Sequence, residues 1–442
     1  MIRVKTGLEM TPRLLADVIG KHKKEVAVRL KKLQDAYENR YDIYTMKKKP
    51  YNKPDNRISV NFAKYIQDTM NGFFCGIPIR ISSDDQTVAE YLTFLNDYND
   101  MDDNNSELSK GSGICGRSYE MYYVDEESNI GITHLSALEA FMVYDDSVLN
   151  RPMFFVRYYK DADNVEKGSY SDGTFVRHFH LGAGYVFDDE PYEHGFDGVP
   201  ASEFKENAEG MGIFEAALPA INAYNKALSE KANDVDYFAD AYMKILGPKV
   251  EPGDLADMRT SRIINFEGDR DEMPEVDFLE KPAADSSQEH LLDRLERLIF
   301  STSMVANVND ESFGTASGIA IRYHMASMSN LAKTKERKFV SAMNRRYRLI
   351  FSHPLAQLSG VKEDDWQKVT YQFTQNYPAN LKEEAEIAKT LDGVTSKATQ
   401  LQVLSLVDDP DAEIEAIREE EQQAAVPALQ ALESSYRTGD NN

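Results

Sequence analysis

Apolar residues recur at spacings of three and four along several long segments of the chain, which is the pattern of amphipathic helices. The helices predicted in this way cover residues 11–46, 58–74, 87–101, 212–246, 286–306, 317–350 and 381–435. The spacing of Ser286 and Glu289 predicts a capping box at the start of one of them. At about 1.5 Å per residue, the helix over 317–350 would span roughly 50 Å. This length predicts that it crosses between layers or subunits.

A second pattern lies between residues 117 and 187, where short aromatic and β-branched runs alternate with turn residues. The strands predicted there cover residues 119–124, 131–135, 141–144, 153–159, 174–180 and 184–187. Such a succession indicates an antiparallel meander within an α+β domain. Further short strands are predicted at residues 77–81, 262–266, 275–279 and, as a lone strand, 369–373. An acidic loop is predicted at residues 102–105 and a small turn at 111–113.

The charge is distributed unevenly over the 442 residues, whose formal net charge is −24. Residues 1–58 hold 15 basic and 7 acidic residues, and residues 317–350 hold 8 basic and 1 acidic residue. Between these basic segments, residues 59–316 hold 20 basic and 49 acidic residues. A chain this acidic is a poor sequence-independent DNA binder, because phosphate affinity comes from clustered Lys and Arg. The basic helix over 317–350 could pair with acidic surface on another copy, meet nucleic acid at one place, or be a solvated face.

Several protein classes do not fit the sequence. Cys75 and Cys115 are its only cysteines, which excludes a disulfide framework and a four-cysteine zinc site and favours a reducing compartment such as a cytoplasm. The sequence has no uninterrupted run of 18 apolar residues, so no membrane helix is predicted, and the amino-terminal residues do not resemble a secretory signal. P-loop, dinucleotide-binding, nucleophile-elbow and H-E-x-x-H motifs are missing from the sequence. No cofactor, metal or catalytic residue is therefore predicted.

The strongest enzymatic candidate is the pair His178 and His180, with Asp188, Asp189 and His194 downstream. Positions i and i+2 of a strand share a face, so both imidazoles could reach one metal ion. A metal-dependent hydrolase is thus one alternative function. We favour the interpretation of a half-exposed strand with two ordinary histidines. A second alternative is a monomeric helical adaptor that binds partners through its acidic tail.

The order of these elements resembles a known family, and five segments carry the resemblance. They are Asn56-Arg57-Ile58 with Asn61, Gly76 and Pro78; residues 116–122 (Gly-Arg-Ser-Tyr-Glu-Met-Tyr); 221–229 (Ile-Asn-Ala-Tyr-Asn-Lys-Ala-Leu-Ser); 317–322 (Ser-Gly-Ile-Ala-Ile-Arg); and 382–386 (Lys-Glu-Glu-Ala-Glu). In these segments and their spacing the chain resembles the portal proteins of tailed bacteriophages, of the type found in long-tailed phages of Gram-positive hosts.

The resemblance implies an α+β portal fold, with an α+β wing, a two-helix stem, a small α/β clip, a long kinked helix and a helical crown. On this sequence the implied parts are the wing at 1–211 and 351–379, stem helices at 212–235 and 286–306, the clip at 236–285, a tunnel loop at 307–316, the long helix at 317–350 and the crown at 380–442.

The implied function is structural. A ring, usually of twelve copies, would sit at one capsid vertex of the virion as the channel for genome packaging and ejection, after assembly in the host cytoplasm. The implied partners are other copies of the chain, double-stranded DNA, the terminase large subunit, a head–tail adaptor protein, and the major capsid and scaffolding proteins. No membrane is involved, and the motor would be the separate terminase.

The resemblance and the charge pattern also imply site residues. The tunnel loop would line the DNA channel with Asn307, Asn309, Asp310, Glu311, Phe313 and Gly314. The clip would bind partners through Asp254, Asp257, Glu267, Asp269, Asp271 and Glu272. The basic helix is predicted to pair with acidic surface of a neighbouring subunit, rather than with DNA, through Arg337, Lys338, Arg345, Arg346 and Arg348.

Overall fold

The structure, a computed structural model of the chain, describes residues 1–51, 53–239, 243–246, 275–278, 285–308, 318–377, 381–404, 406–407 and 409–419. The helices in chain order are α1 (Pro12–Lys21), α2 (Val28–Tyr37), α3 (Phe62–Cys75), α4 (Gln86–Tyr98), α5 (Met101–Cys115), α6 (Leu218–Ala239), α7 (Asp285–Ser303), α8 (Gly318–His324), α9 (Ala326–Ser352), α10 (Pro354–Leu358), α11 (Leu381–Thr390) and α12 (Lys397–Leu401). Residues 410–419 are also helical.

The strands in chain order are β1 (Ile2–Val4), β2 (Arg80–Ser82), β3 (Arg117–Val124), β4 (Ile130–Leu135), β5 (Ala140–Asp145), β6 (Pro152–Lys160), β7 (Glu166–Ser171), β8 (Phe175–Leu181), β9 (Tyr185–Phe187), β10 (Tyr192–Glu193), β11 (Ala201–Lys205), β12 (Met243–Leu246), β13 (Glu275–Phe278) and β14 (Thr370–Gln372). Helix and sheet thus mix along the chain, which confirms the predicted α+β class. Two units separate, one of Met1–Ala306 with Ser327–Gln375 and one of Asn307–Ala326 with Asn376–Asn442.

The largest sheet lies in the first unit and has the order β1-β5-β6-β7-β8-β10, with β9 also paired to β8. Its successive strands from β5 to β9 are antiparallel, which confirms this part of the predicted meander. The first two strands predicted for the meander, at 119–124 and 131–135, belong to a separate sheet. The sequence pattern missed β7, because only Tyr170 in that strand is large and apolar. Gly168 explains why the strand still fits: a Cβ there would lie 2.1 Å from the Arg157 carbonyl oxygen and 2.5 Å from the Phe179 ring.

Three smaller sheets join segments that are distant in sequence. β3 lies between β4 and β11, with Glu120 opposite Ser202 in the register. The predicted lone strand has a partner, since β14 pairs antiparallel with β2 and places Tyr371 opposite Ile81. β12 pairs antiparallel with β13. Apart from the hairpin of β3 and β4, these pairings are not local, so strand propensity alone does not predict them.

The helix predicted over 212–246 extends too far at its C-terminal end. α6 stops at Ala239, and residues 243–246 form β12, with Ile245 opposite Val276 of β13. Met243 and Ile245 also fit the strand period of two, and pairing with β13 makes this segment a strand rather than a continuation of the helix. The strand predicted at 275–279 is confirmed as β13, whereas the one predicted at 262–266 lies outside the described residues.

The acidic loop at 102–105 and the turn at 111–113 are also wrong, because α5 continues through both. Asn104 and Asn105 are buried and hydrogen-bonded to other elements, so tertiary contacts compensate for their low helix propensity. Gly113 permits the close packing of α5 on α3, since a Cβ there would lie 2.0 Å from the Gln67 side-chain oxygen.

The helix predicted over 317–350 is divided at Met325 into α8 and α9. Spacings of three and four over 317–350 predict an apolar stripe, whose members are Ile321, Met325, Met328, Phe339, Met343, Tyr347 and Ile350. In α9, Phe339, Met343, Tyr347 and Ile350 are all inaccessible to solvent, so this part of the stripe is buried in the first unit. The last turns of α9 join α4, β3 and β4 in one apolar core. α9 is therefore a core helix whose polar side chains must find partners inside the unit or reach its surface.

The second unit contains α8, α11 and α12. The helix predicted over 381–435 is interrupted by a turn at Asp392 and Gly393, with Gly393 in the left-handed region at φ 77°. The Gln400 side chain of α12 donates to the Leu391 and Thr395 carbonyl oxygens at 3.2 and 3.3 Å, which closes the turn between α11 and α12. In the part of the chain that the structure describes, no helix has the length and apolar character needed to cross a membrane.

His22 lies in the first unit, in a π-helical turn (His22–Ala27) that joins α1 to α2. Its imidazole is buried and stacks on Phe141 with ring centroids 4.4 Å apart. Nε2 carries the hydrogen, because it lies 3.1 Å from the Ala137 carbonyl oxygen, which only accepts; Nδ1 lies 2.9 Å from the Tyr158 hydroxyl. Burial lowers the pKa of His22 from its ordinary 6.5 to about 4.

This pKa predicts how stability depends on pH. Because the folded-state pKa lies below the unfolded one, the unfolded chain binds a proton between about pH 6.5 and 4 that the folded chain does not. The contribution of His22 is therefore complete above that window and falls by roughly 3 kcal/mol as the pH drops through it. Chemical denaturation at several pH values measures the free energy of unfolding. As the pH falls from about 6.5 to 4, this free energy should decline less steeply for His22→Gln than for the unchanged chain. Equal slopes would contradict the assignment.

Candidate functional site

The basic residues of α9 are the predicted functional feature that the structure describes most completely. They are Lys333, Lys335, Arg337, Lys338, Arg345, Arg346 and Arg348. Because a helix presents residues in several directions, these side chains enter different environments: some lie inside the first unit, and others reach its surface. The distinction decides which of them can contact another molecule.

Arg346 points into the unit and forms an ion pair with Glu120 of β3. Both side chains are inaccessible to solvent. The guanidinium donates from Nε to Oε2 at 2.7 Å and from Nη2 to Oε1 at 2.8 Å, a bidentate geometry that strengthens the contact. Nη2 also donates to the Asn105 side-chain oxygen at 2.8 Å, and the guanidinium lies 5.2 Å from the centre of the Phe204 ring.

A hydrogen-bond network extends from Glu120 to two further elements, α5 and β11. Asn104 of α5 donates to Glu120 Oε1 at 2.7 Å, and the Tyr122 hydroxyl lies 2.9 Å from Oε2 and 2.7 Å from the Ser202 hydroxyl of β11. Burial lowers the pKa of Arg346, but the Glu120 carboxylate more than offsets this and holds it above its ordinary value. Burial, with Glu120 beside it, raises the pKa of Tyr122. Arg346 is therefore charged and Tyr122 neutral at physiological pH.

Lys335, three helical turns before Arg346, forms a second buried ion pair. Its Nζ lies 2.7 Å from Glu206 Oε2 and donates to the Ser109 carbonyl oxygen at 2.9 Å. The ammonium group also lies 5.2 Å from the centre of the Phe74 ring, within the range of a cation–π contact. The inner face of α9 is thus attached to α5 and to the segment after β11 by charged as well as apolar contacts.

Other basic residues of α9 reach the surface. Arg345 is half-buried and donates to the Ala201 and Val199 carbonyl oxygens, both at 3.0 Å, and burial lowers its pKa. Arg337 and Arg348 are exposed and Lys338 is half-buried. Within the described ranges, none of these four side chains has a carboxylate within 4 Å.

These positions correct one predicted contact. Arg346 cannot pair with a neighbouring subunit, because its guanidinium is fully buried on Glu120 of its own chain. Arg345 is partly held by its own backbone carbonyl groups but keeps an accessible side. For Arg337, Lys338, Arg345 and Arg348 the predicted intersubunit contact stays a prediction. The sequence could not single out Arg346, since its partner lies 226 residues earlier.

The first unit also pairs α6 with α7, the two helices predicted as a stem. Lys231 forms an ion pair with Glu289, and Gln288 donates to Asp234 at 2.8 Å. Their pairing agrees with the expected two-helix arrangement, although the boundaries of the implied parts stay a prediction.

A ladder of polar side chains on α6 holds an extended segment of backbone at residues 56–60. The backbone amides of Asn56, Ile58 and Val60 donate to side-chain oxygens of α6 at 2.6 to 2.9 Å. The accepting residues are Asn233, Ser229 and Asn225. They are spaced by four, so they share one helix face, and all three are buried. This role was missed from sequence, because the three residues look like an ordinary polar face.

Most predicted tunnel and clip residues lie outside the described residues. Asn307 follows α7 and is described, whereas Asn309, Asp310, Glu311, Phe313 and Gly314 are not. The clip residues Asp254, Asp257, Glu267, Asp269, Asp271 and Glu272 also fall outside. Their assigned roles stay predictions.

The histidine pair is not arranged as a metal site. His178 and His180 both lie on β8, but each imidazole contacts its own carboxylate: His178 Nδ1 lies 3.1 Å from Asp189 Oδ2, and His180 pairs with Asp188. Over the residues that the structure describes, no group of three or more His, Cys, Asp or Glu side chains could hold a metal ion. The arrangement fits two separate histidine–aspartate contacts at the surface.

Comparison with known proteins gives matches over most of the chain. The family model described as phage portal protein, SPP1 Gp6-like, matches residues 16–426. The portal protein of Bacillus phage SPP1 is 25% identical over 405 residues, covering 84% of this chain and 78% of that protein. The portal protein of Clostridium phage phiCD119 is 21% identical over 385 residues, covering 81% of this chain and 84% of that protein. A chain in a solved structure of the neck of an empty GTA particle matches with a TM-score of 0.47 and 10% identity, covering 77% of this chain and 89% of that chain.

The buried ion pair predicts a large loss of stability when one partner is removed. Arg346→Met should lower the free energy of unfolding by about 3–5 kcal/mol, because Glu120 would be left buried without a positive partner. The double variant Arg346→Met, Glu120→Met should recover much of that loss, since no charge remains in the core.

Denaturant unfolding of the purified chain measures these changes. Arg337→Met, on the exposed side of the same helix, is the control and should change stability by about 0.5 kcal/mol or less. A loss below about 1 kcal/mol for Arg346→Met alone would contradict the buried pair.

Proposed function

The chain belongs to the SPP1 Gp6-like family of phage portal proteins, and from this membership we propose that its copies form a ring that serves as the DNA channel at one vertex of a phage capsid. It is a structural protein of the bacteriophage particle. The observation that carries the proposal is the family match over residues 16–426.

The charge of the chain supports a role as a conduit. A channel through which a genome slides must not hold its cargo tightly, and a net charge of −24 disfavours tight binding to phosphate. Two basic residues of α9, Lys335 and Arg346, are neutralised inside the unit and are not available to DNA. The stem is proposed to consist of α6 and α7, with β12 and β13 between them in sequence as part of the clip.

The finer assignments extend this proposal to named partners. The clip, residues 236–285, is proposed to face the terminase large subunit during packaging and the head–tail adaptor afterwards. The tunnel loop, 307–316, is proposed to surround the DNA. Major capsid and scaffolding proteins would surround the ring, which would assemble in the host cytoplasm before it becomes part of the virion. Movement of DNA would be driven by the terminase.

The proposed ring predicts the mass of the purified protein. Twelve copies of a 50.1 kDa chain would have a mass of about 600 kDa. Mass photometry should detect a species near that mass, and negative-stain images should contain rings with a central hole. A population of monomers alone, or open filaments, would contradict the proposal.

The tunnel loop generates a separate prediction about packaging. Asp310→Lys combined with Glu311→Lys should reduce the length of packaged DNA, because a ring of added positive charge would hold phosphate. Asp310→Asn is the control and should leave folding and assembly unchanged. The measurement is DNA length in particles that contain correctly assembled rings. Full-length genomes packaged at the normal rate by the double-lysine variant would refute the loop assignment.

A further inference from the structure

A pocket of about 420 Å³ opens on the first unit beside the last turns of α9. Its walls come from three separate parts of the chain: the start of β6, the segment before β11, and α9. The lining residues are Arg151, Pro152, Asp197, Gly198, Val199, Arg345, Arg348 and Leu349. Three arginines and one aspartate therefore face a common space.

The positive charge of this pocket exceeds its negative charge, because three arginines share it with the single carboxylate of Asp197. Arg345 is half-buried, and the groups it contacts are two carbonyl oxygens, which carry no net charge. Arg151 and Arg348 are exposed, and across the described part of the chain neither has a carboxylate within 4 Å. The planar guanidinium fork matches the geometry of carboxylate and phosphate groups, so several guanidinium groups around one concave space attract such an anion. The pocket consequently favours a carboxylate or phosphate group.

An apolar projection beside the pocket indicates which kind of anion carrier fits. Val148 and Leu149, in the turn between β5 and β6, are 96% and 68% exposed and precede Arg151 by three and two residues. The turn is held by Asp145, whose Oδ1 accepts hydrogen bonds from the Ser147 hydroxyl at 2.7 Å and the Arg151 backbone amide at 2.8 Å. Two aliphatic side chains held in this way gain stability against a protein surface, whereas a phosphate backbone offers them nothing.

We infer that the arginine pocket and the adjacent Val148-Leu149 turn form one docking surface, which receives a carboxylate-bearing segment of a second copy of this chain. The inference rests on the proposed ring, in which each copy must present two complementary surfaces. Charge complementarity supports a second copy as the occupant, because a chain with 74 acidic and 50 basic residues offers many carboxylates. The turn and pocket lie within a single unit, so the surface is complete in each copy.

Charge reversal at the two exposed arginines tests this surface. In the full chain, Arg151→Glu with Arg348→Glu should raise the protein concentration at which half of the copies are in rings by about tenfold or more, because like charges would then meet. Mass photometry over a dilution series at low and high salt measures this concentration. The matched control is Arg13→Glu, an exposed arginine of α1 outside the pocket, which should leave assembly unchanged. Thermal unfolding of each variant checks that the fold is intact.

A photo-crosslink identifies the occupant directly. With Val148 replaced by p-benzoylphenylalanine, irradiated rings should give covalent dimers, and mass spectrometry should locate the crosslinked peptide beside an Asp or Glu of the second copy. In phage heads the same crosslink should join two copies of this chain. A crosslink only to another head protein would overturn the inference.

The remaining outcomes are distinguishable. If the unchanged chain forms no rings, the proposed function fails and this surface fails with it. If the unchanged chain and the double variant form rings equally well, the surface alone is refuted. Normal rings with weaker duplex DNA binding would make the pocket a phosphate site and would also overturn the inference. An equal loss of assembly in Arg13→Glu would attribute the effect to net charge.

Discussion

The buried ion pair between Arg346 and Glu120 is the contact on which the arrangement of the first unit depends. Two charges without access to solvent are costly unless they meet in good geometry, so the register of α9 against β3 is tightly constrained. Lys335 and Glu206 impose the same condition three helical turns away, on the same face of α9. With both pairs in place, α9 can neither rotate nor slide without leaving a charge buried and unpaired. The surrounding amides and hydroxyls extend this constraint to α5 and β11.

The inner contacts of α9 determine what its outer face can do. Because Lys335 and Arg346 point inward, Arg337 and Arg348 are directed to the surface, and Arg345 lies between the two environments. The charge of the helix is thus divided between a structural group inside and an accessible group outside. The accessible group includes two of the three arginines of the proposed docking surface, while the third, Arg151, comes from the start of the β6 region. One helix therefore connects the stability of the unit to the proposed contact between copies.

Helix α6 is attached to the rest of the first unit by a different kind of contact. Asn225, Ser229 and Asn233 replace the missing strand partner of an extended backbone segment, so each amide at Asn56, Ile58 and Val60 has an acceptor although no sheet is formed there. Polar side chains on a helix that bind backbone in this way must stay in one register. The same ladder explains why this stretch of α6, which carries part of the family resemblance, is polar on a face that is buried.

The sequence by itself determined the periodic features: most of the helices, the strands β5, β6, β8 and β9, the buried stripe of Phe339, Met343 and Tyr347, and, through short ordered segments, the resemblance to portal proteins. Those features depend on neighbours within a few residues, so spacing alone reveals them. Only the tertiary structure decided which charges are internal, since Arg346 looks like any exposed helical arginine until Glu120 is brought to it from 226 residues away. It likewise decided that Asn104 and Asn105 are helical and that residues 243–246 are a strand. In each case a long-range partner satisfies a polar group or a backbone edge, and such partners leave no periodic signal in the sequence.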